Sequence, residues 1–429
     1  YIKIYNVGED MIKKIFTIIV TLIFILFTAF ILLNKNFANQ IVISAEDVYD
    51  KVTGDYEIPE DVSEIKINEL QPENSTFYYN LLNENQKNIY KAVAIAVKNL
   101  NKKAKVKEYN YIDDNNIMTD AKKAMENFFL DHPEVFYVNN EYTVSTIDLV
   151  SSKRIEIEIN YNISDEIELN KKIAEINSIL NPIISEAKTM DKFDAELYLH
   201  DQICKIATYY KYTDINQVPD ECHSIYGCLV SHQAVCDGLS KTLMIALDKV
   251  GIKNIVITGY IKDQAHEWNM VNLDDEWYHV DITSNKSVKN ETNNSEEIIH
   301  SYFNITTEQI KNSNAIDKEE NLPHANSDKY NYYIKKGKYI ASGENFVSKL
   351  KKILDENEND NLIEFAVDSK VNSVPDKMVY VFQDDEYEKY VDCRELESYE
   401  DIKKAVKKYT VFGRVNPEQK KQIIKALKE

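Results

Sequence analysis

Cysteine is scarce in this chain of 429 residues, and basic residues are fewer than acidic ones. Five cysteines leave an odd one, so no complete disulfide framework is imposed and none of the possible pairings is forced. The 51 lysines and arginines are outnumbered by 71 aspartates and glutamates, which gives a formal net charge of −20. Nucleic-acid phosphates require a basic surface, so this balance argues against nucleic acid as a partner.

One stretch of the chain lacks charge altogether. Residues 15–33 are apolar apart from a few threonines, and they follow Lys13 and Lys14. These 19 residues are long enough to span a bilayer as a helix. Asn34 follows without the small-residue cleavage site of a signal peptide, so we expect an uncleaved, single-pass membrane anchor. The lysines place the N-terminus in the cytoplasm and the remaining chain outside the cell, with Met11 as the expected start of translation.

The length of the chain suggests two or three domains, each able to bury its own core. After the anchor, taken as residues 1–40, residues 41–75 are expected to form a polar tether. Residues 76–187 combine helical periodicity with the alternating strand pattern RIEIEINY, which predicts an α+β domain. A catalytic core is expected at residues 188–340, followed by a small αβ appendage at residues 341–389.

Three short strings carry the candidate chemistry: AVCDG, HEWNM and YHVDIT, in that order between residues 234 and 283. They supply a thiol at Cys236, an imidazole at His266 and a carboxylate at Asp281. A thiol nucleophile needs a base to accept its proton, and the base needs a third group that fixes its tautomer. The three residues therefore form a candidate catalytic triad.

The neighbours of Cys236 place it at or just before the first turn of an amphipathic helix. Apolar residues recur at helical spacing between residues 239 and 250, and Gly251 ends the pattern. Unpaired N–H groups at a helix start, together with the helix dipole, favour a thiolate over a thiol. We therefore expect an activated cysteine, with the same N–H groups available as an oxyanion hole.

His266 and Asp281 are expected on adjacent strands of a hairpin, because two apolar runs flank a short acidic stretch. A two-residue turn at residues 274–275 would pair Leu273 with Glu276. This register makes His266 and Asp281 diagonal neighbours on one face, about 7 Å apart at the backbone. A three-residue turn would place them on opposite faces, so the register tests the triad hypothesis.

Three further residues are candidates for supporting roles. His279 is the rival base, because it lies two residues from Asp281 on the same strand face. We assign it instead, with Trp268, to the surroundings of the triad. Gln233, three residues before Cys236, is a candidate donor to the oxyanion, although a loop residue in this position is more often structural.

A zinc site is the competing chemical interpretation, since five potential ligands lie within fifteen residues: Cys222, His223, Cys228, His232 and Cys236. Structural zinc sites draw closely spaced ligand pairs, and the chain contains no CxxC pair. A disulfide between Cys222 and Cys228 is a further alternative. Cys204 and Cys393 are expected to be buried apolar residues. We expect neither a metal nor an organic cofactor.

Residues 223–283, from HSIYGCLVSHQAVCDG through HEWNMVNLDDEWYHVDIT, resemble the core of the bacterial transglutaminase-like superfamily. The resemblance implies a papain-like α+β fold, in which Cys236 matches the nucleophile, His266 the base and Asp281 the orienting acid. Upstream, DHPEVFYV resembles a segment that precedes this core in clostridial-type proteins. Family members include cross-linkers, peptidases and proteins of unknown substrate, so the resemblance fixes the chemistry better than the target.

Two classes of function follow. The first is an extracytoplasmic cysteine acyltransferase or hydrolase, in which Cys236 attacks an amide or peptide carbonyl and forms a thioester that an amine or water resolves. Its expected substrate is a protein or cell-wall peptide at the cell surface. The second class is a catalytically silent binding module that keeps the same fold. The oligomeric state is left open.

The final segment, residues 390–429, is similar to a fragment of a P-type ATPase phosphorylation domain, with Lys420 at the matching lysine. The chain contains neither a DKTGT nor a GDGxND motif, so aspartyl-phosphate chemistry has no nucleophile here. Asn416 and Pro417 also fit the cap and first position of an ordinary helix. We assign this segment no activity.

Overall fold

The computed structural model describes residues 58–357, with gaps at 74–75, 110–113, 149–152, 286–287 and 290–295. It further describes residues 21, 30, 363–368, 379–381, 390–392, 398–406, 411–413, 422 and 425–426. No helix within these residues is long and apolar enough to cross a membrane. Apart from Thr21 and Phe30, the predicted anchor at residues 15–33 lies outside the described residues. The same holds for Met11, Cys393, Asn416, Pro417 and Lys420.

The described helices and strands form two compact units. The first comprises Tyr1–Ile67, Asn83–Met125 and Tyr142–Ile159, and the second comprises Asn68–Leu82, Glu126–Glu141 and Asn160–Glu429. Both units contain helices and strands, in agreement with the expected α+β class.

The α-helices are α1 (Phe77–Asn80), α2 (Glu84–Lys98), α3 (Asp114–Asp131), α4 (Glu166–Ala187), α5 (Lys192–Ile206), α6 (Ile225–Leu229), α7 (Cys236–Lys249), α8 (Thr307–Ile310), α9 (Tyr332–Lys335), α10 (Phe346–Glu356) and α11 (Tyr399–Val406). The longer strands are β1 (Lys103–Tyr109), β2 (Val138–Asp148), β3 (Lys153–Tyr161), β6 (Asn254–Ile261), β7 (Gln264–Leu273), β8 (Glu276–Val280) and β14 (Ile363–Val367). The shorter strands are β4 (Thr208–Tyr209), β5 (Gln233–Ala234), β9 (Val288–Lys289), β10 (Glu296–Glu297), β11 (Phe303–Ile305), β12 (Asn314–Ile316), β13 (Tyr339–Ile340), β15 (Val379–Val381), β16 (Tyr390–Asp392) and β17 (Val411–Gly413).

The first unit packs α2 on a three-stranded sheet of order β1–β3–β2. Asn83 begins α2 with a capping box, because its side chain accepts from the N–H of Gln86 while the Gln86 side chain accepts from the N–H of Asn83. In β3, Ile155 and Ile157 are buried and Glu158 is exposed. The strand predicted from RIEIEINY is therefore confirmed.

The second unit is built around an antiparallel sheet of order β11–β8–β7–β6–β12. Successive residues of β7 point to opposite faces of this sheet. Helix α7 lies on one face, where the side-chain amide of Asn269 donates to the backbone oxygen of Ser240 at 3.0 Å. On the other face, Trp268 and Met270 join a buried apolar cluster. The sheet is thus covered by a helix on one side and by an apolar core on the other.

The hairpin between β7 and β8 has the predicted register. Leu273 pairs with Glu276, and the ladder continues to the pair of Asn269 with Val280. Asp274 and Asp275 have φ angles of 51° and 65°, the left-handed conformation that a two-residue type I′ turn requires at both positions. This turn matches the twist of the flanking strands and places His266 and Asp281 on one face.

Helix α4 has a capped start and continues through a proline. Its N-cap is Asp165, whose side chain accepts from the backbone N–H of Glu168 at 2.8 Å. The helix then runs through Pro182 without ending. Buried Leu180 and Ile184 carry the apolar stripe across this position, so packing outweighs the backbone hydrogen bond that proline cannot make.

Candidate active site

Cys236 is the first residue of α7 and is partly exposed. The strand before it, β5, pairs in parallel with β4, and the N–H of Val235 donates to the oxygen of Cys222 at 3.0 Å. Gly238 allows the helix to approach this loop closely, because a Cβ there would lie 2.5 Å from the Cys222 oxygen. The backbone around the thiol is therefore held from two sides.

His266 and Asp281 form the second part of the site. His266 Nε2 lies 2.8 Å from Asp281 Oδ2, and both side chains are buried. Ser284 also donates to Asp281, from its backbone N–H at 3.0 Å and from its hydroxyl at 2.7 Å. Burial acts to raise the pKa of Asp281, but the hydrogen bonds from His266 and Ser284 outweigh it and lower the pKa below its usual value. Asp281 is thus a carboxylate that holds the His266 proton on Nε2 and leaves Nδ1 as the basic nitrogen.

Cys236 lies beside Glu267, the residue that follows His266 on β7. β8 pairs with β7 only from Asn269 onward, so among the described residues no strand pairs with the preceding part of β7 on that side. The backbone N–H groups of Glu267 and Asp237 both act on the Cys236 sulfur. Among the hydrogen bonds of the described residues, none joins Cys236 to His266. Catalytic hydrogen bonds of this kind often form only when substrate binds.

The prediction that the helix start makes Cys236 an activated thiolate is wrong, because the pKa of its thiol is raised. Burial, together with the carboxylates of Asp237 and Glu267, raises the pKa of Cys236 to about 12, against the lowering effect of the two backbone N–H groups. The helix start stabilises the thiolate, but two nearby negative charges and the loss of solvent outweigh it. The resting group is a thiol, so the proton must leave while the sulfur attacks.

This pKa predicts how Cys236 responds to an alkylating reagent. Because the reactive species is the thiolate, the rate of iodoacetamide labelling at Cys236 is expected to rise ~10-fold per pH unit from pH 6 to pH 10. Glu267→Gln removes one of the opposing charges and is expected to increase the rate at every pH. The labelled site is identified by peptide mass spectrometry, and Glu276→Gln, an exposed carboxylate on β8, is the control. A plateau below pH 8 would show that the thiolate is already formed.

Two clusters of charged groups beside the nucleophile were missed by the sequence analysis. The Asp237 carboxylate lies 3.0 Å from His223 Nδ1 and 3.4 Å from Lys241 Nζ. The Glu267 carboxylate accepts from the Ser240 hydroxyl at 2.7 Å, and burial raises its pKa. Asp237 and Glu267 each follow a triad residue directly in the AVCDG and HEWNM strings, and that adjacency was the available signal.

His279 and Trp268 support the triad from the apolar face. The Trp268 ring stacks on His266 with centroids 5.7 Å apart, and its indole N–H donates to His279 Nδ1 at 3.1 Å. His279 Nε2 is 3.1 Å from the Thr307 hydroxyl. Burial lowers the pKa of His279 to about 3. Both nitrogens of a neutral His279 are therefore engaged, which excludes it as the rival base.

The remaining candidates from the region before Cys236 do not converge. Gln233 is exposed on β5, so its role as an oxyanion donor stays a prediction. Cys222 and Cys228 are both buried, and no disulfide joins them. Within the described residues, the potential metal ligands that do converge are His200, Asp201 and His300.

Residues 180–282 match the family model of the transglutaminase-like superfamily. The matched segment includes Cys236, His266 and Asp281, so this part of the chain is similar to a transglutaminase-like superfamily domain. This domain supports a cysteine-dependent hydrolase or acyltransferase. No curated protein matches the chain.

Three solved structures are similar to parts of the chain. A TGase has a TM-score of 0.22 and 15% identity, over 33% of this chain and 44% of its own. A candidate cysteine protease from Cytophaga hutchinsonii has a TM-score of 0.22 and 11% identity, over 34% of this chain and 63% of its own. A candidate protease from Parabacteroides distasonis has a TM-score of 0.19 and 9% identity, over 37% of this chain and 40% of its own. This chain thus spans less than two thirds of each.

Proposed function

We propose that the protein is a cysteine acyltransferase or hydrolase that forms a thioester between Cys236 and an amide or peptide substrate. The buried 2.8 Å contact between His266 Nε2 and Asp281 Oδ2 carries this proposal. A histidine held in this tautomer presents Nδ1 as a base, and a partly exposed cysteine begins the helix that packs on the same strand. This combination is the arrangement that nucleophilic catalysis by a neutral thiol needs.

The reaction begins as Cys236 Sγ attacks the carbonyl carbon and His266 Nδ1 takes the thiol proton. Asp281 stabilises the resulting imidazolium, and the backbone N–H groups at the start of α7 are available to the oxyanion. The C–N bond then breaks, and His266 returns the proton to the leaving nitrogen. An amine or water attacks the thioester, the C–S bond breaks, and the thiol is restored.

We also propose the cellular setting. The uncharged residues 15–33 anchor the chain in the cell membrane, and the catalytic core acts outside the cell on a protein or a cell-wall peptide. Nucleic acid is not a proposed partner, because the chain is strongly acidic.

A catalytically silent binding module is the second candidate. The observation that favours it is the raised pKa of Cys236, which keeps the sulfur protonated at neutral pH. A cleft that binds a peptide without turnover would need no thiolate. The two candidates differ in whether a covalent acyl-enzyme forms.

The test uses the full chain in detergent, with casein as acyl donor and a fluorescent primary amine as acceptor. We expect transfer of the amine to casein or, if water is the acceptor, release of ammonia from casein glutamines. Cys236→Ala must abolish either product, whereas Cys204→Ala, at a buried cysteine outside the triad, serves as the control. If wild type and Cys236→Ala give the same products, the enzyme proposal fails.

A further inference from the structure

A second group of histidines and carboxylates lies behind the segment that carries Asp281. At its centre is His300, a buried residue just before β11. His300 Nε2 lies 3.0 Å from Asp201 Oδ1 on α5, and His300 Nδ1 forms a hydrogen bond with Glu364 Oε1 on β14. The backbone N–H of His300 donates to Glu364 Oε2 at 3.0 Å, so the carboxylate holds both the ring and the main chain.

The proton count of His300 follows from these contacts. A carboxylate accepts only, so each ring nitrogen that faces one must carry a proton, and His300 is an imidazolium. Burial opposes this charge, but the hydrogen bonds that His300 donates to Asp201 and Glu364 outweigh it and raise the pKa of His300 to about 9. Glu364 also accepts from the Tyr333 hydroxyl at 2.9 Å, and the Tyr332 ring stacks on His300 with centroids 4.0 Å apart.

His200, the neighbour of Asp201 on α5, extends this group towards the triad. Asn285 Oδ1 accepts from the backbone N–H of Tyr302 at 2.7 Å, which fixes the orientation of the amide. Asn285 Nδ2 therefore donates to His200 Nε2, at 3.2 Å. His200 must keep its proton on Nδ1, which donates to Asp201 Oδ1 at 2.9 Å. Asp201 Oδ1 thus accepts from both histidines.

Asn285 is hydrogen-bonded through its backbone to Asp281, so the two residues form the ends of a short turn. The backbone N–H of Asn285 donates to the Asp281 oxygen at 3.0 Å, and the Asp281 N–H donates to the Tyr302 oxygen at 3.0 Å. The side chain of Asn285 is thus the connection between His200 and the segment 281–285. A continuous line of hydrogen bonds runs from Glu364 through His300, Asp201, His200 and Asn285 to the backbone of Asp281, and we term it the histidine relay.

We propose that the histidine relay, held by the positive charge of His300, fixes the segment 281–285 and so positions Asp281 against His266. The effect on catalysis rests on the proposed function, but the effect on the segment does not. His300 and Asn285 are in this account positioning residues, because they reach the reacting atoms only through Asp281 and His266.

A metal site is the competing explanation of the same residues. One ligand atom each from His200, Asp201 and His300 lies within 4.8 Å of the others. Zinc would need a lone pair on both facing histidine nitrogens. His200 offers none at Nδ1, because its Nε2 already accepts from Asn285. The hydrogen-bonding pattern therefore favours protons over a metal at this position.

The experiment measures amide hydrogen exchange of the peptide that contains residues 281–285, in the full chain at pH 7. We expect His300→Gln to accelerate exchange about 10-fold or more, because it removes the charge that holds Asp201 and Glu364. Glu364→Gln keeps the shape of its side chain and should give a smaller acceleration. His324→Gln, at an exposed histidine of the same unit, is the control. Unchanged exchange in both His300→Gln and Glu364→Gln would overturn the proposal.

A second readout tests the metal alternative directly. The relay predicts that the purified full chain holds no zinc at this cluster, because the facing histidine nitrogens carry protons. Metal analysis that finds one equivalent of zinc in the wild type, lost in His300→Gln, would contradict the relay. Neither readout requires activity, so failure of the proposed function would be seen separately.

Discussion

His266→Ala is expected to lower the rate of amine transfer or amide hydrolysis by about 10³-fold. The resting Cys236 is a thiol whose pKa is raised to about 12, so attack depends on a base that takes the proton during the same step. His266 Nδ1 is the nitrogen left free by the contact between Nε2 and Asp281. The measurement is the initial rate with casein and a fluorescent amine at pH 7.5, compared with the wild type.

The control for this variant is His324→Ala, which removes an exposed histidine of the same unit. Thermal unfolding of both proteins distinguishes a lost base from a lost fold. The rate of the His266 variant should rise with pH, because hydroxide replaces the missing base in forming the thiolate. A rate within threefold of the wild type, in a folded variant, would remove His266 from the mechanism.

Asp281→Asn is the second large effect, and we expect a loss of about 10²- to 10⁴-fold. An asparagine that turns its N–H group towards Nε2 would shift the His266 proton to Nδ1, which then could not accept the thiol proton. Ser284→Ala removes only one donor to the carboxylate and should cost far less. The measurement is kcat for both variants with the same substrate pair.

The relative size of the kcat losses in Asp281→Asn and Ser284→Ala distinguishes an electronic role of Asp281 from a structural one. If Asp281 only holds the segment 281–285 in place, Asp281→Asn and Ser284→Ala should have similar effects. Equal losses in the two variants would therefore contradict the tautomer argument. Amide exchange of residues 281–285 in each variant shows whether the segment itself has changed.

The relation of His266 to Asp281 could be predicted from sequence because it is local. A two-residue turn at Asp274 and Asp275 sets the register of the hairpin, and the register decides which side chains share a face. The start of α7 at Cys236 followed from helical periodicity in the same way.

The pKa of Cys236 could not be predicted from sequence, because it is a difference between opposing effects. The helix start lowers the pKa, as expected, but burial and two carboxylates raise it by more. The burial of a group and the direction of a neighbouring carboxylate depend on tertiary packing. Glu267 is adjacent to His266 in sequence, yet only its contact with Ser240 on α7 places its charge beside the thiol.

The histidine relay could not be predicted from sequence either, because its contacts join residues that are far apart in the chain. Asp201 and His300 are in direct contact but are separated by 99 residues, and Glu364 is a further 64 residues along the chain. No spacing rule connects these residues, since they come from a helix, a loop and a strand. The cluster becomes visible only when α5, the segment before β11, and β14 are brought together.

Formation of an acyl-enzyme on Cys236 tests the central claim most directly. The full chain is mixed with p-nitrophenyl acetate, quenched in acid within seconds, and its peptides are mapped by mass spectrometry. The mechanism predicts a burst of p-nitrophenolate stoichiometric with the protein and an acetyl group on Cys236, both lost in Cys236→Ala and strongly reduced in His266→Ala. Acetylation spread equally over Cys204, Cys222, Cys228 and Cys236, without a burst, would contradict it.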